Sequence, residues 1–486
     1  MVVSEPISGT AIAPSADDRI SEIPTKINHS DYFSPGNLLN SSREFEACPV
    51  RYSVPIVLGY GWWFRQQNFR RAIVISDDEQ GSACLVNFTH GTVVNSLDLL
   101  SDSIYDVVIA AYTLEVSQKP WESVKEYVSL LVEGGHLVVM SLFFWPDRGS
   151  NDYFRFLPSG LSNMAEWAGC RRMEFSDGWG SWDFWALLAK DGPQEVDMRG
   201  VQRFIDGGIV IDDRIYKSDG ENYFLTWAVM TECVTGYEWS SQLREAGVQW
   251  PPTQQLKLGP FDDHIFDTTT YTFEPCKLSY GRIAAHHAVE TWLEKNTGKI
   301  SNETEVLNIS PPVGGLDCWG RHFDGKTTKF FITHWNRGQH EICEDLPFPD
   351  NSFNYVLMQM VAEHSVFVWY CYREVHRVLK KGGIFISTNP VKFRRHPLGG
   401  SQKANKKLKD KGYAYPDNYR LLPSGNRALL EWAGFSKIHE CSGWGIKRFF
   451  ADPTFDIPKV KSHMLLDRTS GVGDPYVVTA WLIAEK

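Results

Sequence analysis

Glu363 and His364 stand side by side directly after FNYVLMQM, an apolar run with the look of a buried strand. At a strand's carboxyl end, an imidazole beside a carboxylate suits a general base that takes a proton from a hydroxyl. The competing reading is a structural pair that orients a loop. Arg420 offers other chemistry. A guanidinium just before a helix start can hold phosphate or carboxylate through paired N–H donors. Arg155 occupies the same place earlier in the chain, so pairing with an acid nearby is the alternative for both. Arg394 and Arg395 open a basic stretch, KFRRHPLGGSQKANKKLKDKG, that suits either a lid over an anionic ligand or a solvated loop. His286 and Glu290 lie one helical turn apart. No third ligand is near in sequence, so no metal site is assigned. Two Gly-Trp-Gly motifs, at Gly178 and Gly443, read as tight turns with packed indoles.

These residues sit in a chain that repeats itself. FRFLPSGLSNMAEWAGCRRMEFSDGWG from Phe154 aligns without gaps to YRLLPSGNRALLEWAGFSKIHECSGWG from Tyr419, at an offset of 265. YDVVIAAYTLEV from Tyr105 aligns to FNYVLMQMVAEH from Phe353 at an offset of 248. The difference is the basic stretch, which only the second copy carries. NYFLTWAVMTEC and PYVVTAWLIAEK read as matching apolar closing strands. The layout is a flexible leader (1–45), copy one (46–235), a connector (236–270) and copy two (271–486). In copy two, apolar runs alternate with helical patterns. YCYREVHRVLKK reads as an amphipathic helix ended by Gly382-Gly383, and LPSGNRALLEWAGF as a helix capped by Ser424 and stopped at Gly434. Strand–helix alternation predicts an α/β fold: two tandem doubly wound, Rossmann-like sheets, with binding crevices at the strand ends.

The net charge of −10 argues against nucleic acid and anionic membrane as partners. No apolar run approaches the length of a membrane span, and no signal-peptide pattern opens the chain. Nine scattered cysteines without a C-x-x-C pair speak against a disulfide framework. A cytoplasmic protein is the expectation.

EDLPFPDNSFNYVLMQMVAEH, followed by REVHRVLKKGGIFIS, resembles class I S-adenosylmethionine-dependent methyltransferases. FFWPDRGSNDYFRFLPSGL resembles a subgroup found beside polysaccharide-biosynthesis genes. The resemblance implies S-adenosylmethionine as cofactor, held by a glycine-rich turn after the first strand. In copy two that turn falls on Ser310, Gly314 and Gly315, with Glu344 as an acidic contact. The turn is degenerate: Asn308 stands where the family has an acid, and Pro312 where it has a glycine. The ribose-binding acid and the adenine-contacting Asp are also replaced, the latter by Ile342 in copy two and Val94 in copy one. The leading expectation is a pseudomethyltransferase, a binding or scaffolding module for an unidentified small molecule or protein. The alternative is a divergent O- or N-methyltransferase of a sugar-like or anionic small molecule. Copy two would then be active, with His364 as base. The halves are expected to pack as a pseudo-dimer.

Overall fold

The computed structural model describes residues 60–76, 84–86, 89, 92–94, 105–143, 151–179, 225–235, 265–266, 280–296, 303–309, 319–323, 329–333, 343–344, 346, 348–391, 417–445 and 477–486. In copy one the chain runs α1 (Gly61–Gln66), β1 (Ala72–Ser76), β2 (Thr92–Val94), β3 (Tyr105–Ala111), α2 (Pro120–Ser129) and β4 (Leu131–Leu142). It continues through β5 (Phe154–Phe156), α3 (Pro158–Trp167), β6 (Cys170–Trp179) and β7 (Leu225–Cys233). A short β8 (Ile265–Phe266) lies in the connector. Copy two then has α4 (Tyr280–Asn296), β9 (Glu305–Ile309), β10 (Lys329–Thr333), β11 (Phe353–Gln359), α5 (Val368–Val378) and β12 (Leu379–Pro390). It ends with β13 (Tyr419–Leu421), α6 (Pro423–Ala433), β14 (Lys437–Gly445) and β15 (Val477–Glu485).

The first sheet has the order β2-β1-β3-β4-β7-β6, and the second β10-β9-β11-β12-β15-β14 with β8 added beyond β10. In each series the first four strands are parallel, the fifth (β7 or β15) runs antiparallel to both its neighbours, and the sixth is again parallel to the first four. Runs such as AIVIS are buried along their whole length, as parallel strands covered on both faces must be. The order reverses between β1 and β3, and between β9 and β11, which sets a crevice at the carboxyl ends of those strands. Tyr112 and Met360, equivalent residues just past β3 and β11, both take left-handed backbone, with φ of 60° and 54°. Each N–H bonds to the neighbouring strand, Tyr112 to Met140 and Met360 to Thr388. The turn out of the crevice is therefore the same strained turn in both copies.

Helix ends depart from expectation in two places. The helix over Val368–Val378 stops before Gly382, because Leu379 turns extended and its strand pairs with Phe353. Gly382, at φ +75°, bends β12 itself. Ser424 is not the N-cap of α6. Pro423 opens that helix after Leu422, which suits a residue without an N–H. Gly434 does end α6, in the left-handed conformation expected of such a stop.

The copies meet along a pseudo-two-fold axis. β5 and β13 pair antiparallel, with Arg155 opposite Arg420. Trp121 stacks on its counterpart Trp369 at 5.1 Å between ring centroids. Trp167 packs edge-on against Trp369 at 5.5 Å, and its counterpart Trp432 against Trp121 at 5.2 Å. Lys125 and its counterpart Arg373 lie over the outer indoles, Trp167 and Trp432. The largest apolar core runs through this junction, from α2 and α3 into α5 and α6. Burying each such indole contributes about 1.5–3 kcal/mol or more.

Cys170 and Cys233, register neighbours on β6 and β7, form a disulfide, and so do Cys343 and Cys371. The expectation drawn from scattered spacing is thus corrected for these four residues. Separation along the chain does not reveal which residues a sheet makes neighbours. No helix among the described residues is long and apolar enough to cross a membrane. The leader lies outside them.

Candidate functional site

β11 delivers a short 3-10 turn, Ala362–His364, at the carboxyl edge of the second sheet. Glu363 and His364 are both buried there. His364 Nε2 and Glu363 Oε1 are 3.7 Å apart, beyond hydrogen-bonding range but close enough for electrostatic contact. Burial raises the Glu363 carboxyl above the ordinary carboxylate value, against the opposing pull of His364 and Arg420. The turn is held from outside: Asn418 N–H donates to Glu363 O at 2.7 Å, and Asn418 Nδ2 to Ser365 O at 2.8 Å.

Arg420 is paired within its own copy. Its side chain is fully buried and both terminal nitrogens donate to the Asp417 carboxylate, one at 2.5 Å and one at 2.7 Å. The guanidinium also lies over the Phe143 ring of copy one. Arg155 repeats the arrangement with Asp152. Each arginine neutralises an acid three residues before it, inside the junction.

Copy one has Glu115 where copy two has Glu363. There the Leu142 N–H donates to the Glu115 carboxylate. The residue equivalent to Leu142 is Pro390, which has no N–H to give. Copy two therefore has no counterpart of that backbone bond, and has His364 where copy one has Val116.

The same exchange recurs around the crevice. On one face of the second sheet, Asn308, Gln359 and Thr388 follow the apolar side chains of β9, β11 and β12 toward the strand ends. All three are buried. Both amide atoms of Asn308, Gln359 Oε1 and Thr388 Oγ1 find no hydrogen-bond partner among the described residues. The copy-one residues in register with them are Val74, Ala111 and Met140, all in an apolar core. On the opposite face, Tyr372 Oη donates to Asn426 Oδ1 at 2.6 Å and Asn389 Nδ2 donates to the same oxygen at 3.0 Å. Val124 and Leu161 stand in place of Tyr372 and Asn426 in copy one. Buried polar groups left without partners each cost roughly 1–3 kcal/mol.

Glu344 is held by groups of its own copy. Its carboxylate accepts from Ser365 Oγ and from the N–H groups of Val366, at 2.6 Å, and Phe367, at 3.0 Å. Cys343 N–H adds a further bond at 3.3 Å. Glu344 fastens the entry to α5, and burial raises its pKa despite those bonds. Ser310, Gly314, Gly315, Arg394 and Arg395 lie outside the described residues. His286 bonds to Glu290 at 2.9 Å, with His322 at 3.8 Å from the same oxygen. Among the described residues no group of three metal-ligating side chains occurs. Sequence reasoning missed Asn418, Asn426, Tyr372, Gln359 and Thr388. Aligning the copies and asking where a buried apolar residue becomes polar would have found the last four.

Residues 324–387 match the family model described as a methyltransferase domain. No curated protein matches the chain. Among solved structures, a Haemonchus contortus phosphoethanolamine N-methyltransferase 2 is 12% identical, covering 92% of this chain and 99% of its own, at a TM-score of 0.24. An S-adenosylmethionine-dependent methyltransferase from Mesorhizobium loti is 13% identical over 40% of this chain and 96% of its own, at a TM-score of 0.26. Likenesses of this size carry no argument about activity or substrate. The matched segment lies in the second sheet, whose Rossmann-like strand order the first sheet repeats.

Proposed function

We propose that this protein is a methyltransferase-fold binding module in which copy two holds a small polar ligand and copy one is its structural partner. The observation that carries the reading is the row Asn308, Gln359 and Thr388, polar and buried at the strand ends of copy two, apolar at the same register in copy one. A neutral amide that offers both donor and acceptor suits a ligand end carrying both kinds of group. The described residues do not fit S-adenosylmethionine in the standard manner. The acid expected at 308 is an amide, and Glu344 is taken up by the N–H groups of Val366 and Phe367. Calorimetric titration of the full chain with S-adenosylmethionine and S-adenosylhomocysteine tests this. No heat is expected. Micromolar binding that a bulky residue at Gly314 abolishes would overturn the reading. A thermal-shift screen of polar metabolites supplies the positive arm: hits should vanish in the Asn308→Val/Gln359→Ala/Thr388→Met variant.

The second reading, a divergent methyltransferase, is favoured by one observation: Glu363 and His364 sit together, buried, at the carboxyl edge of the second sheet. His364 would then take a proton from an acceptor hydroxyl or amine, with Glu363 holding the imidazole's charge.

A further inference from the structure

The turn that carries Glu363 and His364 is not built by copy two alone. Copy one reaches across the junction and fixes the two residues on which that turn hangs. Leu157 N–H donates to Asn418 O at 3.0 Å, and Ser159 Oγ donates to Asp417 O at 2.9 Å. Gly160, in the first turn of α3, lies against the Asn418 carbonyl so closely that a Cβ there would overlap its oxygen. Asn418, fully buried and so gripped, spends its N–H on Glu363 O and its side-chain amide on the carbonyls of Ser365, at 2.8 Å, and His364, at 3.4 Å.

The reciprocal half of the junction shows what is special here. Leu422 N–H donates to Tyr153 O at 3.1 Å, Ser424 Oγ donates to Asp152 O, and Gly425 abuts the Tyr153 carbonyl. Tyr153 N–H in turn donates to Glu115 O at 2.7 Å. The backbone pattern is the same in both directions. The side chain is not. Tyr153 has no amide with which to hold the two carbonyls after Glu115, and its hydroxyl accepts from Gln118 Nε2 instead. Only the turn with the histidine has the extra clamp.

We infer that copy one positions the Glu363–His364 turn of copy two, with Gly160 as the contact that sets Asn418 and Asn418 as the clamp on the turn. Both are positioning residues rather than catalytic ones, since neither is argued to touch a ligand. The inference rests on the reading that copy two carries the site, and it gives copy one a task in that site beyond bulk.

The test uses the full chain, labelled in its histidine rings, with the His364 ring resonance assigned from a His364→Gln variant. Gly160→Ala pushes on Asn418, while Gly425→Ala pushes equally on Tyr153 and serves as the mirror control. Asn418→Ala removes the clamp and leaves α3 untouched. Expected are a His364 peak displaced by more than its linewidth in Gly160→Ala and Asn418→Ala, and an unmoved peak in Gly425→Ala at a similar loss of Tm. Equal displacement in the two glycine variants, or an unmoved peak in folded Asn418→Ala, overturns the inference. Should Gly160→Ala fail to fold, Ser159→Ala, which deletes a single hydroxyl bond, replaces it under the same criteria. No ligand enters this readout. A displaced peak in a protein that binds no polar compound would therefore sink the proposed function and leave the positioning intact. Ligand binding with an unmoved peak would do the reverse.

Discussion

Single residues around the crevice are where stability and use pull apart. Asn308 is buried with both amide atoms lacking partners among the described residues, and its counterpart is Val74. Asn308→Val should therefore raise stability by about 1 kcal/mol in denaturant titration. A loss would mean that the amide is already satisfied within the fold. Arg420 is the opposite case. Arg420→Met leaves Asp417 charged inside the junction and should cost roughly 3–5 kcal/mol, and the cost should shrink in an Asp417→Asn background. Glu363 gives a pH signature. Its folded-state pKa is raised, chiefly by burial, so its favourable contribution is present below the unfolded carboxylate value, about 4.3, and is lost as pH rises through the raised value. Glu363→Gln should therefore gain stability over the parent at about pH 8 and gain little at about pH 4. An equal difference at both would contradict the assigned direction. The motif marks Glu344 as an acidic contact. A motif records a residue type and its spacing, and says nothing of the backbone N–H groups that reach the carboxylate once α5 begins.

At the scale of elements, much was legible. The offset between copies implied two equivalent sheets, and largely apolar runs marked β11 and the closing strands β7 and β15. Burial on both faces needs such runs whatever the tertiary detail. Helix ends were less legible. Gly382 looked like a stop, but pairing of Leu379 with Phe353 ended α5 sooner. Ser424 looked like a cap, but its hydroxyl bonds to Asp152 across the junction. In each case a partner distant in sequence overrode a local preference. The turns after β3 and β11 were not legible either, since Tyr112 and Met360 are poor residues for left-handed backbone. Met360→Asn should relieve that strain and raise stability by about 1 kcal/mol. A drop in midpoint would show that the Met360 side chain contributes more than its backbone costs.

Among the described residues both copies share a junction core, with the stacked Trp121 and Trp369 at its centre and Trp167 and Trp432 flanking them. The two sheets should accordingly unfold together, in a single transition whose far-UV and near-UV signals coincide. Trp121→Ala, made in copy one alone, should lower the stability of the whole by roughly 3–5 kcal/mol and keep that transition single. Two separated transitions would show that each copy stands by itself. The junction also bears on how the protein came to differ between its halves. In an assembly of identical subunits every substitution appears twice, so a valine and an asparagine can never face each other across the axis at the same position. Joining the two copies in one chain lifts that restriction. Val74 and Asn308, or Leu142 and Pro390, are differences that no symmetric pair could hold.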